Sequence, residues 1–336
     1  MTRLAVIGAG SWGTTFAHLC SANADVVLWG RDPELVDAIA RDHENPRYLP
    51  GVALDDRLRA SADLRDACKN ADIIAMAVPS HGFREVLAED APAIAADVVV
   101  VSLTKGIEQG TLARMSQVVE TVLPRLAPDT IAVLTGPNLV REIADGQPTA
   151  SVVATRDDHV GATLQKLFMT TTFRVYTNPD VVGCEIAGAM KNVIAIAVGA
   201  AAGFGFGDNA RAALITRGLA EMTRLGVAVG GDPLTFAGLA GVGDLVATCT
   251  SEQSRNRRVG SEFGRGRPLD EILGDTPMVA EGVRTASGVV ALARAHGVEL
   301  PIAEMVSAVI EGRSGPGDFL AQFMTRAAKA ELDGMR

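Results

Sequence analysis

In the first half of the chain, short apolar β-branched runs alternate with segments of helical period. Leu4-Ala5-Val6-Ile7 and Val26-Val27-Leu28-Trp29 read as strands. A helix is predicted from about 11 to 21, and another is opened by Asp32-Pro33. Asp72-Ile73-Ile74-Ala75-Met76-Ala77-Val78 and Val98-Val99-Val100-Val101 are nearly unbroken apolar runs. Central parallel strands, covered on both faces, read this way. Ile131-Ala132-Val133-Leu134 and Ala150-Ser151-Val152-Val153 continue the series. Strands alternating with helices predict a doubly wound α/β domain. From about residue 180 the strand signals stop, and helical pattern follows with Gly- and Pro-containing breaks. Thr177-Asn178-Pro179-Asp180 punctuates the change, so the expected organisation is an α/β domain over 1–180 and an all-α domain over 181–336.

One residue breaks the apolar pattern of the second half. Lys191 lies in Gly188-Ala189-Met190-Lys191-Asn192-Val193-Ile194-Ala195-Ile196-Ala197-Val198. An unpaired ammonium is costly to bury. A partly desolvated lysine loses its proton more easily and can act as a base near neutral pH.

Composition narrows the partners. The 336 residues suffice for two domains. Aromatics are only 4% and glycines number 35, so the cores are expected to be aliphatic with close backbone contacts. A net charge of −9 opposes nucleic-acid binding, although a local basic cluster can still hold a small anion. Cys20, Cys68, Cys184 and Cys249 have no CxxC spacing and read as reduced thiols in a cytoplasmic protein. The chain starts on a strand pattern, so no signal peptide is expected. The longest apolar run, 193–204, is too short to span a bilayer. The histidines form no ligand cluster, and no metal is expected.

Gly8-Ala9-Gly10-Ser11-Trp12-Gly13 follows the first strand and opens a helix. Alone, GxGxxG is weak in so glycine-rich a chain. In this context the three glycines serve a tight turn, close approach to a pyrophosphate, and helix–strand packing. The pyrophosphate would rest on the helix N-terminus, which makes the α/β domain a Rossmann-type dinucleotide-binding domain. NAD-selective sites carry an acid at the end of the second strand. Here that stretch is Trp29-Gly30-Arg31-Asp32, with the acid after an arginine. Arg31 could pair with a 2′-phosphate, so NADP is favoured, with NAD open; a plain solvated loop charge is the competing reading.

Lys105, in Ser102-Leu103-Thr104-Lys105-Gly106, follows the fourth apolar strand, where ligands of such sheets bind. Gly136-Pro137-Asn138 also follows a strand and can offer backbone N–H groups at a helix start. Ser254-Arg255-Asn256-Arg257-Arg258 is a compact basic run. Arginine's planar fork suits phosphate or carboxylate, and Arg255 and Asn256 are expected inward with Arg258 outward. The bland alternatives are a surface lysine and a solvated helix face.

These residues resemble those of bacterial NAD(P)-dependent glycerol-3-phosphate dehydrogenases, over nearly the whole chain. The resemblance rests on the glycine motif, on Lys105-Gly106-Ile107 and on the segment around Lys191. Further matches are Asn209-Ala210-Arg211-Ala212-Ala213-Leu214-Ile215-Thr216-Arg217-Gly218, Leu239-Ala240-Gly241-Val242-Gly243-Asp244-Leu245, the Ser254 run, and Val279-Ala280-Glu281-Gly282-Val283. It implies Lys191 as proton acceptor, with Asp244 and Asn192 orienting it or the substrate. It implies Lys105, Gly136, Asn138, Asp244, Ser254, Arg255 and Asn256 as substrate contacts; Thr248, from the stretch after Asp244, joins them. It implies Gly8, Gly10, Ser11, Trp12, Gly13, Arg31, Lys105, Val140, Arg255, Val279 and Glu281 around the cofactor. At Asn138 the family usually has Ser or Thr, and at Val140 a small Ala.

The implied reaction interconverts sn-glycerol 3-phosphate and dihydroxyacetone phosphate, feeding glycerophospholipid synthesis. Another Rossmann dehydrogenase of the 3-hydroxy-acid or ketopantoate type, or a non-catalytic NADP(H) sensor, are the alternatives. The Gly-Ala-rich helices could pack a homodimer or simply one core.

Overall fold

Each predicted strand–helix repeat is present in the computed structural model, which describes residues 1–275 and 280–315. By contacts the chain forms two units. The first is Met1–Thr104 with Ala113–Val181. The second is Lys105–Leu112 with the described residues from Val182 onward.

The first unit runs β1 (Arg3–Ile7), α1 (Ser11–Cys20), β2 (Asp25–Trp29), α2 (Pro33–Asp42), β3 (Arg59–Ser61), α3 (Leu64–Cys68), β4 (Ile73–Met76), α4 (Ser80–Glu89) and β5 (Val99–Ser102). It continues α5 (Met115–Val122), β6 (Ile131–Thr135), α6 (Val140–Ala144), β7 (Thr149–Thr155), α7 (Asp158–Phe168) and β8 (Phe173–Asn178). Sheet order is β3-β2-β1-β4-β5-β6-β7-β8. The first six strands are parallel, whereas β7 pairs antiparallel with β6. The reversal has a local cause. The link from β6 to β7 holds only the five-residue α6, about 8 Å long, too short to return along the sheet. The edge strands β3 and β8 lack continuous apolar runs because their residues alternate toward solvent or lie largely exposed. Chain reversal in strand order between β1 and β4 opens a crevice at their carboxyl ends, the usual ligand position in such sheets.

The second unit is helical: α8 (Val181–Gly203), α9 (Asp208–Ala228), α10 (Pro233–Phe236), one π turn (Leu239–Gly243), α11 (Asp244–Thr250), α12 (Arg255–Gly264), α13 (Leu269–Gly274), α14 (Glu281–Ala295) and α15 (Pro301–Ile310). Contrary to the sequence expectation, α8 is long and apolar enough to cross a membrane, at 23 residues. Its most apolar window is 94% buried inside the protein, so its surface is consumed by its own core. The stretch Pro233–Thr250 passes the same test but is broken by the π turn. Glycines let α12 lie against α8 backbone to backbone. A Cβ on Gly199 would stand 2.0 Å from the Arg257 carbonyl oxygen, and one on Gly260 2.0 Å from that of Ile196. Gly203 and Gly264 repeat the interlock one turn later. All four cysteines are free thiols.

Candidate functional site

In the first unit the three motif glycines play different parts. Gly8 takes φ +122°, and a Cβ there would lie 2.7 Å from the Ala77 carbonyl oxygen of the strand-end opposite. A Cβ on Gly13 would lie 1.9 Å from the Gly8 oxygen, so α1 can pack only with glycine there. Around Gly10, by contrast, no atom lies within 4 Å of the Cβ position. Gly10 caps α1 with no side chain, and no acid occupies the first turn. An open cradle over a helix N-terminus suits a pyrophosphate, so the residues fit a dinucleotide. Ser11 and Trp12 form that first turn, and the Trp12 indole N–H is buried without a hydrogen-bond partner.

At the end of β2, Arg31 is exposed. Asp32 caps α2, accepting from Glu34 N (3.0 Å) and Leu35 N (3.4 Å), and pairs with Arg47 at 2.6 Å. Beyond β6, Gly136 takes φ +130° against Ser151. The helix expected directly at Gly136-Pro137-Asn138 begins only at Val140. Asn138 donates to Ser151 Oγ (3.1 Å), which donates to the Thr135 carbonyl (2.7 Å). The Asn138 side-chain oxygen is left without a partner.

In the second unit α8 carries Lys191 inward, but not as an isolated ammonium. Its Nζ donates to Asp244 Oδ1 (2.5 Å) and to Thr248 Oγ1 (2.9 Å). Lys105 Nζ takes the other carboxylate oxygen, at 2.7 Å. Asp244 is 1% exposed and opens α11 directly after the π turn, where the helix N-terminus favours an anion. Burial alone would raise its carboxyl, but Lys105 and Lys191 hold it below the usual range. Burial lowers the Lys105 ammonium to about 8, against the opposing pull of Asp244. Two lysines on one carboxylate leave one positive charge over when both are protonated.

Asn192 directs its amide elsewhere than to the Lys191 ammonium. It donates to the Gly188 carbonyl (3.3 Å) and accepts from Asn256 Nδ2 (2.9 Å). Asn256 Oδ1 in turn accepts from Gly282 N (3.0 Å), tying α12 and the start of α14 to the lysine helix. Ser254 caps α12, its Oγ accepting from Arg257 N (3.3 Å). Asn256 is buried and Arg258 exposed, as the pattern predicted; Arg255 is exposed rather than inward. Partial desolvation lowers the Arg255 guanidinium, against the opposing pull of Glu281 at the first position of α14. Val279 lies outside the described residues.

Comparison with known proteins agrees with this geometry. Residues 3–161 match the family model of the NAD-dependent glycerol-3-phosphate dehydrogenase N-terminus, and residues 180–321 that of its C-terminus. This chain belongs to the NAD-dependent glycerol-3-phosphate dehydrogenase family. A relative named glycerol-3-phosphate dehydrogenase (NAD(P)+) from Thermobifida fusca is 53% identical over the full length of both chains. One of the same name from Streptomyces coelicolor is 51% identical over 98% of each. The crystal structure of glycerol-3-phosphate dehydrogenase from Coxiella burnetii superposes with a TM-score of 0.92 at 37% identity, covering 97% of this chain and 99% of that one.

Within this glycerol-3-phosphate dehydrogenase family member, the structure adds residues that the motifs did not reveal. Asn45, fully buried, donates to the Ala9 carbonyl (2.9 Å) and Thr14 Oγ1 (2.8 Å), bracing the glycine turn. Arg47, Ser151 and the backbone amide of Gly282, a position quoted above only within a matching segment, are the other additions. All four act through contacts distant in sequence, which no local spacing announces.

Proposed function

We propose that this chain interconverts sn-glycerol 3-phosphate and dihydroxyacetone phosphate by hydride transfer at C2, with NADP favoured over NAD. The observation that carries the reading is the buried Lys105–Asp244–Lys191 cluster, whose excess positive charge suits an anionic substrate with an oxygen to be protonated or deprotonated. The bound nicotinamide supplies the hydride acceptor or donor. Lys191 takes the C2 hydroxyl proton in oxidation and returns it in reduction. Asp244 and Thr248 orient its Nζ. Lys105 with Ser254 and Arg255 binds the phosphate, giving binding energy remote from the reacting carbon. Asn192 and Asn256 hold these elements in register, and Gly136 and Asn138 belong to the substrate contacts.

The test follows nicotinamide absorbance with dihydroxyacetone phosphate and either NADPH or NADH. Turnover supports the reading. Turnover only with a 3-hydroxy-acid or ketopantoate-type substrate, or tight NADPH binding with no turnover, refutes it.

The proposal extends to a cytoplasmic enzyme, which the four free thiols support, with its product directed to glycerophospholipid synthesis. It includes a homodimer, supported by exposed apolar Leu234, Val227 and Val246 in the helical unit and tested by light scattering.

A further inference from the structure

The cofactor choice can be taken further, resting on the dehydrogenase reading above. Four observations meet at the end of β2. First, both carboxylate oxygens of Asp32 are already engaged. Oδ1 accepts from the α2 amides of Glu34 and Leu35, and Oδ2 receives Arg47 Nη1 at 2.6 Å. An acid that reads a ribose 2′-OH turns an oxygen toward the ribose, whereas both oxygens of Asp32 are turned to partners within the chain. Second, the loop bearing Arg47 is anchored on the pyrophosphate turn. Asn45 donates to the Ala9 carbonyl, accepts from Tyr48 N (2.9 Å) through its side chain and from Leu49 N (3.0 Å) through its backbone. Third, the Arg47 guanidinium commits Nη1 to Asp32 and keeps further N–H donors, while its carbon lies 5.9 Å from the Tyr48 ring centroid. Fourth, Arg31 is exposed and has no ion pair among the described residues.

In a dinucleotide-binding fold of this order, the adenosine ribose lies between the glycine turn and the end of the second strand. At this strand end Arg31 is exposed, Arg47 is paired with Asp32, and the exposed Glu34 stands in the first turn of α2. We propose that Arg31 and Arg47 together clamp a ribose 2′-phosphate, and that Asp32 is a positioning residue that aims Arg47. Asp32 thus serves NADP rather than selecting NAD, the opposite of what an acid at this strand end ordinarily does.

Calorimetric titration of the full chain with NADPH, NADH, 2′,5′-ADP and 5′-AMP tests this, since the last two probe the site without turnover. Wild type is expected to bind 2′,5′-ADP more tightly than 5′-AMP. Arg47→Ala and Arg31→Ala should each weaken NADPH and 2′,5′-ADP by about tenfold or more, the scale of a lost charge-assisted hydrogen bond, and NADH by less than about threefold. Asp32→Asn should leave NADH binding within about threefold of wild type. Equal loss of NADH and NADPH in both arginine variants overturns the clamp, as does a tenfold loss of NADH in Asp32→Asn. Wild type binding both nucleotides with no dependence on either arginine overturns the clamp alone. Wild type binding neither overturns the dehydrogenase reading as well.

Discussion

Replacing Asp244 by Asn removes the one negative charge that two buried ammonium groups share, while keeping shape and a hydrogen-bonding oxygen. In the native protein burial lowers Lys105 to about 8, so at pH 7 it is mostly charged. The carboxylate lies 2.7 Å from Lys105 and 2.5 Å from Lys191, and all three groups are largely buried. Breaking a buried pair by deleting one partner costs about 3–5 kcal/mol. Asp244 is what pulls Lys105 upward, so its loss leaves burial and the Lys191 ammonium to lower Lys105 further below about 8. At pH 7 the variant then holds less of Lys105 in its charged form than wild type does. The assay is kcat/KM for dihydroxyacetone phosphate from pH 5.5 to 9.5. Wild type should lose activity above about pH 8, and in the variant that flank should move to lower pH. A flank that stays in place, or a wild type with no flank near 8, refutes the argument. Stability gives a second readout. Because folding lowers the Lys105 value below its ordinary 10.5, the unfolded state binds more protons between about 8 and 10.5. Native stability therefore rises with pH across that window. In Asp244→Asn, repulsion between two ammonium groups should make the loss of Tm greater at pH 6 than at pH 9.5.

Three other outcomes are expected. Lys191→Ala should lower kcat by about 10²–10⁴-fold at a temperature below its reduced Tm, and a change of only a few-fold would assign the lysine to packing. Gly260→Ala forces a Cβ to within 2.0 Å of the Ile196 oxygen and should destabilise by about 3 kcal/mol in urea titration while raising substrate KM; an unchanged midpoint would refute backbone-to-backbone packing of α8 and α12. His18 accepts from Asp55 N at 2.9 Å through Nδ1, and burial lowers its titration despite the nearby Asp55. Its neutral form is thus the native one: its contribution to stability is full above about pH 6.5 and is lost as pH falls through the lowered value. The acid-side decline in Tm should flatten in His18→Gln.

Much of the α/β unit could be read directly, because central parallel strands are continuous apolar runs and a strand–glycine–helix junction has few other uses. Edge strands escaped for the converse reason. Half-exposed residues such as Arg174 and Tyr176 on β8 carry no apolar run, and the reversal at β7 depends on the length of α6. Lys191, Asp244 and Lys105 were each legible by residue type and by family pattern, and Thr248 only as a member of the stretch after Asp244. Their sharing of one carboxylate was not, since Lys105 and Asp244 stand 139 positions apart. Asn192 was expected to orient the lysine or the substrate and Asn256 to contact the substrate; that their amides also bond one another and the start of α14 only the packing of α8, α12 and α14 could reveal.

By itself, the sequence determined the fold class, the dinucleotide turn, and a lysine committed to an apolar helix. Those follow from short-range rules: side-chain period, glycine conformational freedom and the cost of burying charge. The tertiary structure decided which charges neutralise which. Lys105 carries a burial-depressed titration beside the carboxylate it shares with Lys191, and Asp32 belongs to Arg47 and its own helix cap rather than standing open to a ribose. Electrostatic pairing acts over a few ångströms of space, and chain distance does not encode it.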